Sequence, residues 1–427
     1  MLSLSEETKR SMPALPFAPT TTHVHSHPTV FKLSKLGAPA ALLATSLWAT
    51  SLWTLSAPSA YSACVYDQNG VSIDLYGKVQ AAYVDEYTYE DLSGSSSPED
   101  SLYSSMRLGL GLRSPITTGL DGIALAEWDT SRKANSKGDN EGTLDHTRYM
   151  FVGLDAYQYG TLIAGRGDGA YYTVVGATDI FNIMESKASD YFLVGEQRPA
   201  QIMYALHGMS WDLKLSYQFD SAHAGDGYMP VDVHQAYGAA VSTKFGENIT
   251  FAYGLDYTKF DFDGSSADIA RAESFFVPSF IADGYTPAQA QAKARNEHVG
   301  AKVDYGAALS YGVMGQGLYA ALVVGATKYD YISHHLYTVD TAVSYTTSDF
   351  LAGLTVSAGY GLKSYDEELL ISDLTLGISY SFNAAFKLFA EAQFDLDGNA
   401  AYFYGQEMVR ELKYNEDKFA LGAEFNF

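Results

Sequence analysis

The feature that most constrains this chain is an alternation of period two, running almost to its last residue. In Phe419-Ala-Leu-Gly-Ala-Glu-Phe-Asn-Phe427 the odd positions are Phe419, Leu421, Ala423, Phe425 and Phe427, and the even ones are small or polar. Residues 354–363, 373–382 and 386–395 repeat the pattern, with Leu374, Leu376, Ile378, Tyr380 and Phe382 opposed to Asp373, Thr375, Gly377, Ser379 and Ser381. Such alternation is the signature of strands with one apolar and one polar face. The strands are about ten residues long, and their aromatics gather toward the ends. Both features fit a wall that crosses a bilayer. Lipid tolerates no unpaired sheet edge, so the economical arrangement is a closed barrel.

Sixteen strands are predicted, near 71–86, 102–114, 120–130, 146–155, 160–166, 199–206, 210–220, 232–243, 248–258, 297–312, 315–328, 335–346, 350–363, 369–382, 386–396 and 416–427. Short turns alternate with long acidic loops at 87–101, 131–145, 167–198, 259–296 and 397–415. The expected fold is therefore all-β: a 16-stranded antiparallel transmembrane β-barrel, wide enough to enclose water. Residues 286–297, TPAQAQAKARNE, predict a short helix in one outer loop.

The N-terminus reads as an address. A short cationic patch with Lys32 and Lys35 precedes the apolar stretch 36–57, and small residues follow in APSAYSA. That is the order of a secretory signal peptide. Residues 1–62 are assigned to an N-terminal extension plus signal, and residues 63–427 to one barrel, with the bacterial outer membrane as the destination.

The chain carries 27 Lys+Arg against 50 Asp+Glu, a formal net charge of −23, which excludes nucleic acid as a partner. Its one cysteine, Cys64, excludes a disulfide framework or a cysteine-based zinc site. His207, His223 and His234 lie on different predicted elements, His334 and His335 are adjacent, and no serine sits in a nucleophile motif. The expectation is no enzyme, no cofactor and no resident metal.

Specific stretches resemble the trimeric general-diffusion porins of Gram-negative bacteria, of the enterobacterial osmoporin type. They are Val65-Tyr-Asp-Gln-Asn-Gly70 followed by Ile73-Asp-Leu-Tyr-Gly-Lys-Val79, then Met106-Arg-Leu-Gly109, Glu127-Trp-Asp129, Thr147-Arg-Tyr-Met-Phe-Val-Gly-Leu154 and Gly165-Arg166. The terminal Phe427 resembles the family's assembly signal for the barrel-assembly machinery. The resemblance implies a homotrimer passing small hydrophilic solutes, with a third loop, here 167–198, folded inward to constrict the pore. It implies a basic side of the constriction at Lys78, Arg107, Arg166 and Arg198, and an acidic side at Asp129, Asp168, Asp179 and Glu185, with Asp190 nearby. Glu196 stands where the family carries a further arginine. Periodicity turns Lys78 and Arg107 to the lumen and leaves Arg166 ambiguous; a lipid-facing arginine near the midplane costs about 2–4 kcal/mol.

Acidic loops concentrate cations at the mouth, so mild cation selectivity is expected. Clustered acids (Asp85, Glu86, Glu90, Asp91; Asp366, Glu367, Glu368) are candidates for divalent cations bridging to lipopolysaccharide in the surrounding lipid. Tyr171, Tyr172 and Tyr191 suggest an alternative, an aromatic slide in a sugar-specific channel. A further alternative is an adhesin or phage receptor acting through 259–296.

Overall fold

A strand whose residues alternate between lipid and water satisfies only half of its backbone groups with one neighbour, so each strand needs a partner on both sides. The computed structural model meets this requirement. It describes residues 62–89, 96–130, 146–184, 186, 188–189, 195–221, 232–261, 277, 281, 284–295, 300–330, 334–349, 351–365, 368–396, 399–404, 407–413 and 417–427.

The strands are β1 (Ala63–Gln68), β2 (Val71–Tyr89), β3 (Ser96–Thr117), β4 (Leu120–Asp129), β5 (His146–Asp155), β6 (Thr161–Gly167) and β7 (Arg198–His207). They continue as β8 (Trp211–Gln218), β9 (Asp232–Phe245), β10 (Ile249–Asp261), β11 (Ala301–Val313), β12 (Gln316–Tyr329) and β13 (Leu336–Thr346). The last are β14 (Leu354–Tyr365), β15 (Glu368–Ser381), β16 (Phe386–Asp395), β17 (Asn399–Tyr404), β18 (Glu407–Lys413) and β19 (Lys418–Asn426). From β2 to β16 each strand pairs antiparallel with the next; β16 pairs with β19, and β19 returns to β2. The result is a closed ring of sixteen strands. Among the described residues no helix is long and apolar enough to cross a membrane; the crossing elements are strands.

The alternation sorts as expected. On β2, Gln80, Ala82 and Val84 are buried on the inner face, whereas Val79 and Tyr83 are exposed on the outer one. The seam closes on Phe427, whose N–H donates to Gly77 O at 2.9 Å while its carbonyl accepts from Gly77 N at 2.8 Å. A side chain at Gly77 has no room: its Cβ would lie 2.6 Å from the Phe427 ring and 2.4 Å from Arg107 O.

Three elements were not anticipated. β1 folds back on the start of β2 through a two-residue turn at Asn69 and Gly70, with φ of 55° and 79°. Asn-Gly suits that positive-φ hairpin turn. Its Ala63 faces Leu75, so β1 continues along β2 the row that Phe427 ends. β17 and β18 form a separate hairpin inside the segment expected to be the loop 397–415. The segment expected as loop 87–101 is shorter, because β2 and β3 stay paired out to Tyr89 and Ser96. The helix expected near 286–297 is present as Pro287–Ala294, with Thr286 and Gln289 forming a capping box and Pro at its first turn. Residues 1–61, including nearly all of the signal assignment, lie outside the described residues.

Gly77→Leu should destabilise the seam by about 1–3 kcal/mol, the usual cost of overpacking. The expected result is a lower temperature at which the folded, fast-migrating gel band disappears, with Gly119→Leu, at a turn with no atom within 4 Å of its Cβ, as the control for local strain alone.

Candidate functional site: the lumen and its inward loop

The third loop, in its described residues 168–184, 186, 188–189 and 195–197, does not leave the barrel. Its root is pinned where Gly169 N donates to Gly195 O at 2.7 Å. Ala170 N donates to the Ser216 hydroxyl on β8 at 3.0 Å. The short helix α1 (Tyr172–Val175) then packs on β10–β12, with Tyr171 and Val174 against Ala252, Ala308 and Val323. Tyr319 OH on β12 donates to Ala177 O at 2.7 Å, and Thr178 and Ser189 donate to the Asp340 carboxylate on β13 at 2.8 and 2.9 Å. Phe181, Ile183 and Met184 reach Phe389 on β16, Ala420 on β19, and Ala82 and Val84 on β2. The loop thus follows the inner wall from β8 round to β2.

The wall is shaped to receive it. A Cβ at Gly254 would stand 3.1 Å from Val174, one at Gly306 2.7 Å from the Tyr171 hydroxyl, and one at Gly359 2.8 Å from Phe181. The tip is held by a single carboxylate. Glu391 on β16 accepts from the backbone N–H groups of Asn182, Ile183 and Met184 at 2.6, 2.9 and 3.0 Å, and from Asn182 Nδ2 at 2.7 Å. Lys387, on the same face, donates to Asn182 Oδ1 at 2.6 Å.

Several basic residues of the remaining wall are paired with carboxylates, mostly of the wall itself. Glu424 on β19 bridges Lys387 at 3.0 Å and Lys78 at 3.2 Å. Arg107 meets Asp129 at 3.2 Å and Glu127 at 3.5 Å, and Arg148 meets Glu127 at 2.8 Å and Glu196 at 3.8 Å. Lys78 and Arg107 stand directly opposite each other across β2 and β3, an arrangement that is unfavourable for like charges alone. Each has its own acid on the far side, which relieves the repulsion. Arg198 on β7 reaches across to Asp256 on β10 at 2.8 Å.

Of the residues expected at the constriction, Lys78, Arg107, Arg198 and Asp129 lie on the lumen face and are buried in these pairs. Arg166 is half-buried at a β-bulge in β6, opposite Met150, whose side chain is exposed on the outer face. Its parity is that of Leu162 and Ala164, both exposed on the outer wall, so position alone does not turn it to the lumen. Asp168 accepts from Tyr149 OH at 3.0 Å and from Gln197 N at 2.9 Å; burial pushes its carboxyl above the ordinary carboxylate range, offset in part by the Gln197 amide. Asp179 accepts from Tyr172 OH at 2.9 Å and lines a niche under the loop with Asp340 and Asp373. Tyr171 and Tyr172 are each 2% exposed, packed between loop and wall. An aromatic slide needs exposed ring faces, so these two do not form one. Glu185, Asp190 and Tyr191 lie outside the described residues.

Arg148, Glu127, Lys387, Glu391, Asp340, Asp256 and Glu424 were not singled out as site residues. Glu391, Lys387 and Glu424 were legible as charges on the polar faces of β16 and β19. Arg148 was not, because a register shift between Glu127 and Trp128 breaks the alternation beside it.

Glu391→Ala removes the acceptor of three backbone N–H groups, each costing about 1–3 kcal/mol if left buried and unpaired. The loop should leave the wall, read as faster cleavage within 168–197 by a nonspecific protease, while the heat-modifiable gel shift of the barrel is retained. Glu391→Gln, which keeps one acceptor oxygen, should lie between.

Comparison with known proteins agrees with this architecture. A family profile described as Gram-negative porin matches residues 44–333. Porin-like protein L of Photobacterium profundum is 23% identical over 375 residues, 86% of this chain and 95% of that protein. Outer membrane porin protein OmpD of Citrobacter koseri is 25% identical over 363 residues, 80% of this chain and 89% of that one. Outer membrane protein Omp-EA of Erwinia amylovora is 28% identical over 203 residues, 46% of this chain and 52% of that protein. The solved structure of Salmonella typhi OmpF, in complex with daunomycin, superposes with a TM-score of 0.61 at 15% identity, covering 86% of this chain and all of that one. An anion-selective porin from Comamonas acidovorans superposes with a TM-score of 0.55 at 15% identity, over 84% of this chain and all of that one. With its closed sixteen-stranded wall and its matched profile, the chain belongs to the Gram-negative porins of the outer membrane.

Proposed function

We propose that this porin is a passive channel for small hydrophilic solutes and ions, mildly selective for cations. The observation that carries the reading is the inner face: a ring of charged and polar side chains, with a polar-rooted loop laid along it rather than an apolar plug filling it. Lys78, Arg107, Arg148 and Lys387 are matched by Glu424, Asp129, Glu127 and Glu196. A wall neutralised pair by pair exerts little net preference of its own. Selectivity then follows the surplus of acid over the whole chain, 50 against 27 cations. The burial of Tyr171 and Tyr172 weighs against a sugar-specific slide.

The same reading includes a homotrimer. On β3–β6 the described outward residues include Leu108, Leu110, Leu112, Ala124, Ala126, Val152, Leu154, Leu162 and Ala164, with Trp128 as the aromatic among them. Farther round, Tyr237, Phe251, Tyr253, Tyr305, Tyr337 and Tyr345 are exposed. A wall facing lipid carries aromatic girdles; an aliphatic, small-residue sector suits packing against another copy. One structural neighbour at a TM-score of 0.53, OmpT of Vibrio cholerae, is described as a trimer form.

In a KCl gradient the reversal potential should have the sign of cation preference and shrink as salt rises, since surface charge is screened within about 10 Å at 0.1 M. Anion preference contradicts the reading. Liposomes carrying the protein should swell in a small uncharged sugar. Leu110→Arg should convert trimers to monomers on cross-linking without loss of the folded band; trimers that survive it place the interface elsewhere.

A further inference from the structure

Where the inward loop lies against the long-loop end of β11–β14, loop and wall do not meet completely. A niche of about 40 Å³ stays between Tyr171, Val175, Ala188 and Ser189 of the loop and the inner faces of the four strands. That is room for about three waters. Two ammonium groups line it: Lys302 on β11 is 2% exposed and Lys363 on β14 is 9% exposed. Lys302 Nζ meets Asp304 at 2.7 Å, and the Thr327 hydroxyl donates to the other oxygen of that carboxylate at 2.6 Å. Lys363 stands directly across β13–β14 from Thr338, which lines the same niche. Another part of the lining is apolar and buried, formed by Val175, Ala188, Val323 and Leu336.

The charged residues of the described lining are two lysines and one aspartate, so the niche carries one net positive charge. A monoanion neutralises it; a dianion or a cation does not. An ammonium has three N–H donors, so Lys302 and Lys363 can each hold a ligand oxygen in addition to a protein partner. A carboxylate offers two acceptor oxygens, and charge-assisted bonds to ammonium groups are the strong ones. The apolar part of the lining offers no partner to a second polar end, whereas a short hydrocarbon body gains by leaving water against it. We propose that this niche is a subsite for a short-chain aliphatic monocarboxylate. Its carboxylate is held by Lys302, Lys363 and the Thr338 hydroxyl, and its alkyl end lies against Val175, Val323 and Leu336. The subsite adds a solute preference that the overall acidity of the chain opposes, and it uses none of the wall pairs around Lys78, Arg107 and Arg148.

The test is a titration of isotope-labelled propionate with the refolded barrel in detergent, read as broadening of its resonances after subtraction of empty micelles. Saturable binding is expected, with acetate about fourfold weaker for its missing CH₂. Propylammonium and inorganic phosphate should fail to displace propionate. Lys363→Met should bind on the order of tenfold more weakly, and Lys363→Arg should restore most of the affinity, both with the heat-modifiable gel shift intact. Val323→Thr, similar in shape but carrying a hydroxyl, should narrow the gap between propionate and acetate. Undiminished binding by Lys363→Met, displacement by phosphate as effective as by propionate itself, equal affinity for acetate and propionate, or no saturable binding by a barrel of folded mobility would each overturn the proposal. The readout is equilibrium binding by a folded barrel, so its failure and a failure of the open-channel reading are seen separately.

Discussion

Everything in this molecule depends on backbone hydrogen bonding in a medium that supplies none. Each strand segment inside lipid must find partners on both sides, and only a ring does this for all strands at once. The closing pair is Gly77 with Phe427, where the chain end exchanges two hydrogen bonds with the start of β2. Glycine is needed there because the Phe427 ring and the Arg107 carbonyl leave no volume for a side chain. The ring then imposes the alternation, and the alternation places polar residues on the inner face.

The inner face meets a second constraint. A loop segment inside a barrel, here described over 168–184, brings its own backbone donors out of bulk water. Glu391 takes three of these, Asp340 takes two loop hydroxyls, and glycines along β10, β11 and β14 let the loop lie close. From β19 to β5 the wall also carries ion pairs between neighbouring strands. Such buried pairs add little net stability, because desolvation offsets attraction. Their consequence is geometric: they hold Lys78, Arg107 and Arg148 against the wall, which keeps these long side chains from swinging freely into the channel.

The strand count, the ring, the placement of each strand and the outer helix at Pro287–Ala294 could all be read from the sequence, because each rests on local periodicity or capping. β1 was missed because six residues carry too little alternation to register, and β17–β18 because the segment reads as polar loop. Lys78 and Arg107 lie on the lumen face that periodicity assigns them, and Lys78, Arg107 and Arg198 each pair with a wall acid that no local pattern names. Partnership depends on register between strands distant in sequence: Glu424 lies 346 residues from Lys78. Arg166 shows the other limit. Its parity is that of outward Leu162 and Ala164, against the ladder position that the resemblance gives it, and the bulge beside it is marked by no single-strand pattern.

Single-channel current through the refolded barrel in a planar bilayer tests the central claim most directly, that the charge-lined lumen, narrowed by a loop docked on its own wall, is open to water. Discrete, ohmic open steps at low voltage are the predicted result. A barrel with the folded gel mobility that passes no current would contradict it and mark the inward loop as a plug.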